Sequence, residues 1–462
     1  MKPIILLSFT SLIMMSCGVS PQLRQEKMSL PADWKNAGGF PVASPSRDLS
    51  RWWKRFEDPT LSKIISTAIA NSPDVAAAAA RIRESRARRN AQAASLFPAL
   101  SGSVSSSGNA SKREGFDGDS NSSQAANLNA SWEVDLFGKN RSSLEAASAQ
   151  LGVSQENFHS VQSALTSEIA IAYTNLRVAE AELDVLRRIV KTRSETSQLA
   201  GWRNQAGETD TLESSQASSS LEQARAGIPS LEQAIAQTKN LLALLSGKEP
   251  GGLDRLLSSG RKSIPNPAQS LAVGIPANTL RQRPDVRIAG YQLLAAAANS
   301  RAAKAEQYPS LNLSGTLGLN ALSTGKLFNP ESASAGIIAG LSGPIFDAGR
   351  IRSNIAAENA AEEQALQNYR STVLSALSET EDALIACRRT SERLVTLEKA
   401  TAAARETANL AQQRYQAGVA DILTLLDAQR TLLGLENDLF NVRAARTISY
   451  IQLYNALGGG WS

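Results

Sequence analysis

Asn71-Ser72-Pro73-Asp74-Val75 opens an alanine-rich stretch that ends at Phe97-Pro98, and Arg283-Pro284-Asp285-Val286 opens a second that ends at Tyr308-Pro309. The prolines lie 211 positions apart in both cases, 73 to 284 and 98 to 309. Gln205-Ala206-Gly207 returns as Gln416-Ala417-Gly418 at the same offset. Phe137 and Arg141 have counterparts in Phe346 and Arg350 at a slightly smaller one, and Leu245-Ser246-Gly247 resembles Leu457-Gly458-Gly459. One unit of helix, two strands, long helix, turn and return helix therefore occurs twice.

The strands are legible from their alternation. Leu128, Ala130, Trp132, Val134 and Leu136 fall on one face of a strand, and Asn127, Asn129, Ser131, Glu133 and Asp135 on the other. Leu311, Leu313, Leu317 and Leu319 oppose Asn312, Ser314, Thr316 and Asn320 in the second half. Partner strands lie near Ala99–Ser107 and Ala335–Phe346, and polar loops such as Gly108–Ser123 join each pair. A strand with one apolar and one polar face serves either as half of a sandwich or as the wall of a membrane barrel. Four strands cannot close a barrel, and an open edge in lipid leaves backbone groups unpaired at several kcal/mol each. A membrane reading therefore requires an oligomer, with eight strands in a dimer or twelve in a trimer.

From Phe158 the apolar residues step by three and four: Val161, Leu165, Ile169, Ala172, Leu176, Ala179, Leu183, Leu186, Val190. That is a coiled-coil seam. No strong breaker interrupts Asn140–Ala200 or Arg350–Gln416. A helix of roughly 60 residues is about 90 Å long. The return helices, Asp210–Leu245 and Asp421–Leu457, pack back along them, and Pro229 in the first predicts a kink or local break at Gly227-Ile228-Pro229. The low aromatic content of 5% suits long, closely packed helices.

The formal charge of +5 over 462 residues is spread out and makes no basic stripe, so nucleic acid is not the expected partner. Lys2 and the apolar Ile4–Ile13 form a signal segment too short to span a bilayer. Ser16-Cys17 follows, and the stretch resembles a bacterial lipoprotein signal in which Cys17 is acylated, with Met14 where leucine is usual. The alternative is a free or buried cysteine after a simple secretion signal. By the same resemblance, Gly18 in place of an aspartate implies delivery to the outer membrane. Residues 18–50 are polar and proline-bearing and suit a tether, and Trp52, Trp53 and Phe56 precede a helix starting near Asp58-Pro59.

The turn between the last two helices lies in Arg414–Leu433. Gly418 supplies a left-handed cap and Asp421 an N-cap for the next helix. Asp427 stands behind an apolar run, as either a solvated charge or a group lining a narrow place.

The lipoprotein signal, Trp52-Trp53, Leu280–Val286, Tyr308-Pro309-Ser310-Leu311, Phe346–Arg350 and Tyr415–Gln429 together resemble the TolC/OprM-type outer-membrane efflux factors, in their NodT-like lipoprotein branch. The resemblance implies an α+β membrane protein. Three chains would supply four strands each to one twelve-stranded barrel, above a periplasmic α-helical barrel of coiled coils. It implies signal peptide 1–16, lipid-anchored tether and equatorial segment 17–57, repeat 58–247, linker and equatorial segment 248–277, repeat 278–458 and tail 459–462. Strands are expected near 98–107, 126–137, 309–321 and 334–346, long helices at 140–203 and 349–416, and return helices at 209–247 and 421–457. The implied partners are a periplasmic adaptor, an inner-membrane pump of the resistance-nodulation-division type and outer-membrane lipids. The implied gate residues are Asp427 and Leu423, with Tyr415, Gly418, Asp421 and Thr424 supporting the turn. Thr424 and Ala420 stand where some relatives carry a second aspartate and an arginine, so the gate is expected to lack one charge ring and one locking ion pair. Tyr415 either makes an inter-helix hydrogen bond or simply packs.

No constellation of catalytic groups is present, and no cofactor is expected beyond a covalent lipid on Cys17. His159 is the only histidine and is expected to be solvated on a helix face, while mid-helix Cys387 is expected to be a packed thiol. Two other readings stay open: the outer-membrane duct of a type I protein secretion system, and a lipid-anchored coiled-coil scaffold without a pore.

Overall fold

The computed structural model describes residues 31–38, 49–111, 114, 119–267 and 276–461. Cys17 and the signal segment lie outside them. Nine α-helices and four strands follow in order among the described residues: α1 (Pro59–Asn71), α2 (Pro73–Ala94), β1 (Ala99–Ser111), β2 (Asp119–Val134), α3 (Lys139–Gln205), α4 (Thr211–Leu245), α5 (Asp254–Ser259), α6 (Pro276–Gln282), α7 (Pro284–Ala305), β3 (Ser310–Ala321), β4 (Ala333–Ser342), α8 (Arg350–Gln416) and α9 (Ile422–Ala456).

The repeat is kept to the residue. Helices α2 and α7 have 22 residues each, α3 and α8 have 67, and α4 and α9 have 35. Every pair starts 211 positions apart, which corrects two sequence alignments. Lys139, not Arg141, is the counterpart of Arg350, and Gly247 matches Gly458. Those two glycines do the same work. Both have positive φ, +63° and +80°, and a Cβ at either would strike the backbone ending a neighbouring helix, Asn71 for Gly247 and Gln282 for Gly458.

The chain divides into two compact units. The first, residues 80–155 and 288–370, contains the sheet, antiparallel throughout in the order β1-β2-β3-β4. Cross-strand register aligns the apolar side chains in rows, such as Leu100, Ala130, Gly315 and Ile337, then Trp132, Leu313 and Ala339, then Val134, Leu311 and Leu341. The alternate rows are polar, such as Ser101, Asn129, Thr316 and Gly336. Leu100, Val104, Leu128, Leu317, Ile337 and Leu341 are all exposed in the single chain. Below the sheet the helices pack on small residues, with Ala149, Val153, Ala298 and Ala303 buried and Gly152 lying flat on the Tyr291 ring.

β2 was expected to reach 137 and stops at Val134. The Asp135 carboxylate turns instead to accept the N–H groups of Asn140 and Arg141 at 3.1 and 3.0 Å, satisfying the start of α3. β4 stops at Ser342, before Gly343-Pro344, because proline has no N–H for the ladder. At the other end, β1 and β2 run into the expected loop, pairing Gly108 with Ser122 and Ser111 with Asp119.

The second unit, built from residues 31–79, 156–287 and 371–461, holds the largest core. Trp52 is fully buried and stacks on Tyr454 at 5.4 Å, with Trp53 and Phe56 edge-on to it. Asp58 caps α1 through the N–H groups of Thr60 and Leu61 and accepts the Tyr173 hydroxyl at 2.9 Å. The 248–277 segment is more than a linker. Leu253 and Leu257 are buried, and Arg177, fully buried itself, donates to the Leu257 carbonyl at 3.3 Å.

The local break expected at Pro229 does not occur: helix α4 runs unbroken through it. Proline costs it one backbone hydrogen bond in 35 residues, and Gly227 lets Leu186 pack flush beside it. His159 is not solvated: its Nδ1 lies 3.1 Å from Glu156 Oε2 and its ring stacks on Trp461 at 4.2 Å. The glycine-rich tail makes this contact by folding back, with Gly460 N–H donating to the Leu49 carbonyl. Cys387 is buried beside Ser449 and Arg446, and burial pushes its thiol up to about 11.

Candidate functional site

The two long hairpins, α3–α4 and α8–α9, turn in the same way. Gly418 has φ +73° and donates to the Tyr415 carbonyl, while Val419 N–H reaches back to the Arg414 carbonyl at 2.9 Å. Gly207 at +75° and Glu208 repeat this pair of bonds on Asn204 and Arg203. Both are the double-bonded glycine cap that ends a helix sharply. An aspartate then starts each return helix. Asp210 accepts Glu213 N–H at 3.0 Å, and Asp421 accepts Thr424 N–H at 2.9 Å. The Thr424 hydroxyl and N–H hold the Asp421 carboxyl below the usual carboxylate range.

Tyr415 is where the hairpins meet. It is fully buried, among Ala200, Ala217, Ala411, Ile422 and Leu425. Its hydroxyl donates to Glu213 Oε1 in α4 at 2.8 Å. Arg203 of α3 lies over its ring at 5.0 Å and donates to the Tyr415 and Gln416 carbonyls at 3.1 and 3.3 Å. Burial, aided by the Glu213 carboxylate, pushes the phenol up to about 12, so it stays a donor at any physiological pH. The hydrogen bond and the packing both exist.

Along α9, Ile422, Leu425 and Gln429 are buried, whereas Leu423, Thr424, Asp427 and Arg430 are exposed. Leu423, Asp427 and Arg430 follow at spacings of four and three and so share one face. Asp427 does not stand alone there. Arg430 Nη2 reaches its Oδ1 at 2.5 Å, with side chains 79% and 65% exposed for arginine and aspartate. The sequence reading assigned no partner to Asp427. Arg430 was legible as a neighbour at i+3. Arg203 and Glu213 could have been found only through the repeat, as the counterparts of Arg414 and Thr424. Among the described residues no group of side chains could hold a metal ion, and no helix is long and apolar enough to cross a membrane.

Residues 64–248 and 275–459 each match the outer membrane efflux protein family. The chain belongs to that family. The two matched segments are the two repeats, again 211 positions apart. Among relatives, the chain is similar to the pyoverdine export outer membrane protein OpmQ of Pseudomonas aeruginosa, with 31% identity over 100% of this chain and 97% of that one. It is 29% identical to the cation efflux system protein CusC of Escherichia coli, over the full length of both. Among solved structures, the outer-membrane channel OprN superposes with a TM-score of 0.89 at 30% identity, covering 96% of this chain and all of that one. The outer membrane efflux protein described here is thus an outer-membrane channel.

Proposed function

We propose that three copies of this outer membrane efflux protein close one twelve-stranded barrel and form the passive exit duct of a tripartite pump. One observation carries the reading. The four-stranded sheet has apolar rows on one face and polar rows on the other, and among the described residues β1 pairs only with β2 and β4 only with β3, so each has one open edge. Lipid cannot satisfy those edges, and sister copies can. Energy comes from the partners, an adaptor and an inner-membrane pump of the resistance-nodulation-division type. Acylation of Cys17 adds an anchor that is weak by itself and reinforces the barrel.

The hairpin turns form the closed end of the duct, with Leu423 and Asp427 at its narrowest ring. Three Asp427–Arg430 pairs give that ring alternating charge rather than three bare carboxylates. The Tyr415–Glu213 bond and the Arg203 cap hold the hairpins together in the resting state. Relatives of nearly equal identity are named for exporting pyoverdine and cations, which supports a duct that leaves substrate choice to the pump. Reconstitution of the purified protein in a planar bilayer, with cross-linking to count copies, tests the proposal. A trimer with discrete conductance steps is expected. A water-soluble monomer without conductance would overturn it.

A further inference from the structure

Ser163 of α3 donates to Asn455 Oδ1 of α9 at 2.8 Å, where the first long hairpin meets the second. The two residues line a polar cleft together with Ser160 and Gln452. Carried across the repeat of 211 residues, Ser163 becomes Leu374 on α8, and Asn455 and Gln452 become Leu244 and Leu241 on α4. Three polar residues of the inner junction are therefore leucines at their repeat positions. Leu374, Leu241 and Leu244 are 59%, 40% and 70% exposed. A single copy leaves them in water, although each stands on the helix face that its counterpart uses for packing.

The repeat says what covers them. Within one chain the contact uses the α3 flank of the first hairpin and the α9 flank of the second. That leaves the α8 flank of the second hairpin and the α4 flank of the first. In a ring of three copies the two kinds of hairpin alternate, so each second hairpin is followed by the first hairpin of the next copy. The helices of the two hairpins are equal in length, 67 and 35 residues in both, so the junction between copies repeats the backbone arrangement of the junction within a chain.

We propose that Leu374 of each copy packs against Leu241 and Leu244 of the next copy, and that this apolar seam holds the helical hairpins of neighbouring copies together. The inference rests on the trimeric reading above. The difference in chemistry between the two junctions has a physical reason. The inner junction joins hairpins that one chain already holds close, so a serine–asparagine hydrogen bond and a wet cleft suffice there. The outer junction must recruit a separate copy, and burial of leucine supplies that association with its driving force.

Full-length protein carrying Leu374→Cys and Leu244→Cys, treated in native membranes with a short bis-thiol reagent, tests the seam. Products of two and three linked chains are expected on a denaturing gel. The unsubstituted chain and each single-cysteine variant give the background from Cys17 and Cys387. Amine cross-linking of the wild type counts the copies independently. An amine-linked trimer with no thiol-linked chains overturns the seam, leaves the trimer standing and assigns the leucines to a different partner, such as the adaptor. A wild type that stays a single chain under amine cross-linking overturns both. The apolar character is read from trimer dissociation in detergent. Leu374→Ser and Leu244→Asn are each expected to speed it roughly tenfold or more. Together they rebuild the serine–asparagine pair of the inner junction and recover part of that loss. Dissociation at the wild-type rate in both single variants would overturn the seam.

Discussion

The Tyr415 hydroxyl donates to Glu213 Oε1 across 2.8 Å, tying the last turn of α8 to the first turn of α4. Tyr415→Phe deletes that donor and little else. It is expected to cost about 1 kcal/mol per copy and to raise the closed-state leak in bilayer recordings. The linkage to pH runs upward. Because the folded phenol is raised from 10 to about 12, its contribution is complete below pH 10 and is lost as pH rises through about 12. Thermal unfolding of wild type and Tyr415→Phe in detergent should therefore converge at the alkaline end. A constant gap across that range would count against the hydrogen bond.

Asp427 and Arg430 make opposite predictions if they form the proposed ring. Asp427→Ala leaves three uncompensated guanidinium groups and moves the reversal potential in a salt gradient toward anion preference, with more leak. Arg430→Ala leaves three carboxylates and moves it toward cations. The double variant returns near wild-type selectivity in a wider pore. Unchanged reversal potentials in both single variants would remove this face of α9 from the conduction path.

Asp421 predicts acid sensitivity of the turn. Its carboxyl is held low by Thr424, so its capping contribution is present above the unfolded carboxylate range and is lost as pH falls through the lower folded value. Hydrogen exchange of the Thr424 amide should accelerate at acid pH in the wild type, relative to its intrinsic rate. In Asp421→Asn, which can cap without titrating, the exchange should stay flat. An identical acid response in both proteins would reject the cap as the cause.

Gly247 is the most restricted of the glycines at the helix ends. Gly247→Ala places a Cβ at 2.4 Å from the Asn71 carbonyl oxygen with φ at +63°. The combined strain is roughly 2–4 kcal/mol per copy. The yield of folded oligomer should fall sharply, whereas Gly201→Ala, with open space around it, should be silent. Equal yields of the two would contradict the packing at that helix end.

Much of the fold was legible because it is periodic. Strand alternation and the coiled-coil seam are short local periods, and the proline pairs and turn glycines recur at 211 residues, so a repeat constrains the element boundaries twice. Gly418 and Asp421 were also legible, since caps depend on local backbone conformation. The Arg203–Tyr415–Glu213 contact was not, because its members come from three helices and two of them lie more than 200 residues apart. His159 was misread for the same reason: its neighbour Trp461 arrives from the far end of the chain.

The sequence by itself determined which segments form helices and strands and where they turn, because backbone geometry and the solvent on each face are local properties. Only the tertiary structure decided which groups are paired across helices, as Tyr415 with Glu213 and Tyr173 with Asp58, and which polar groups are buried. Those choices depend on distances of a few ångströms between side chains, and no one-dimensional pattern encodes such distances.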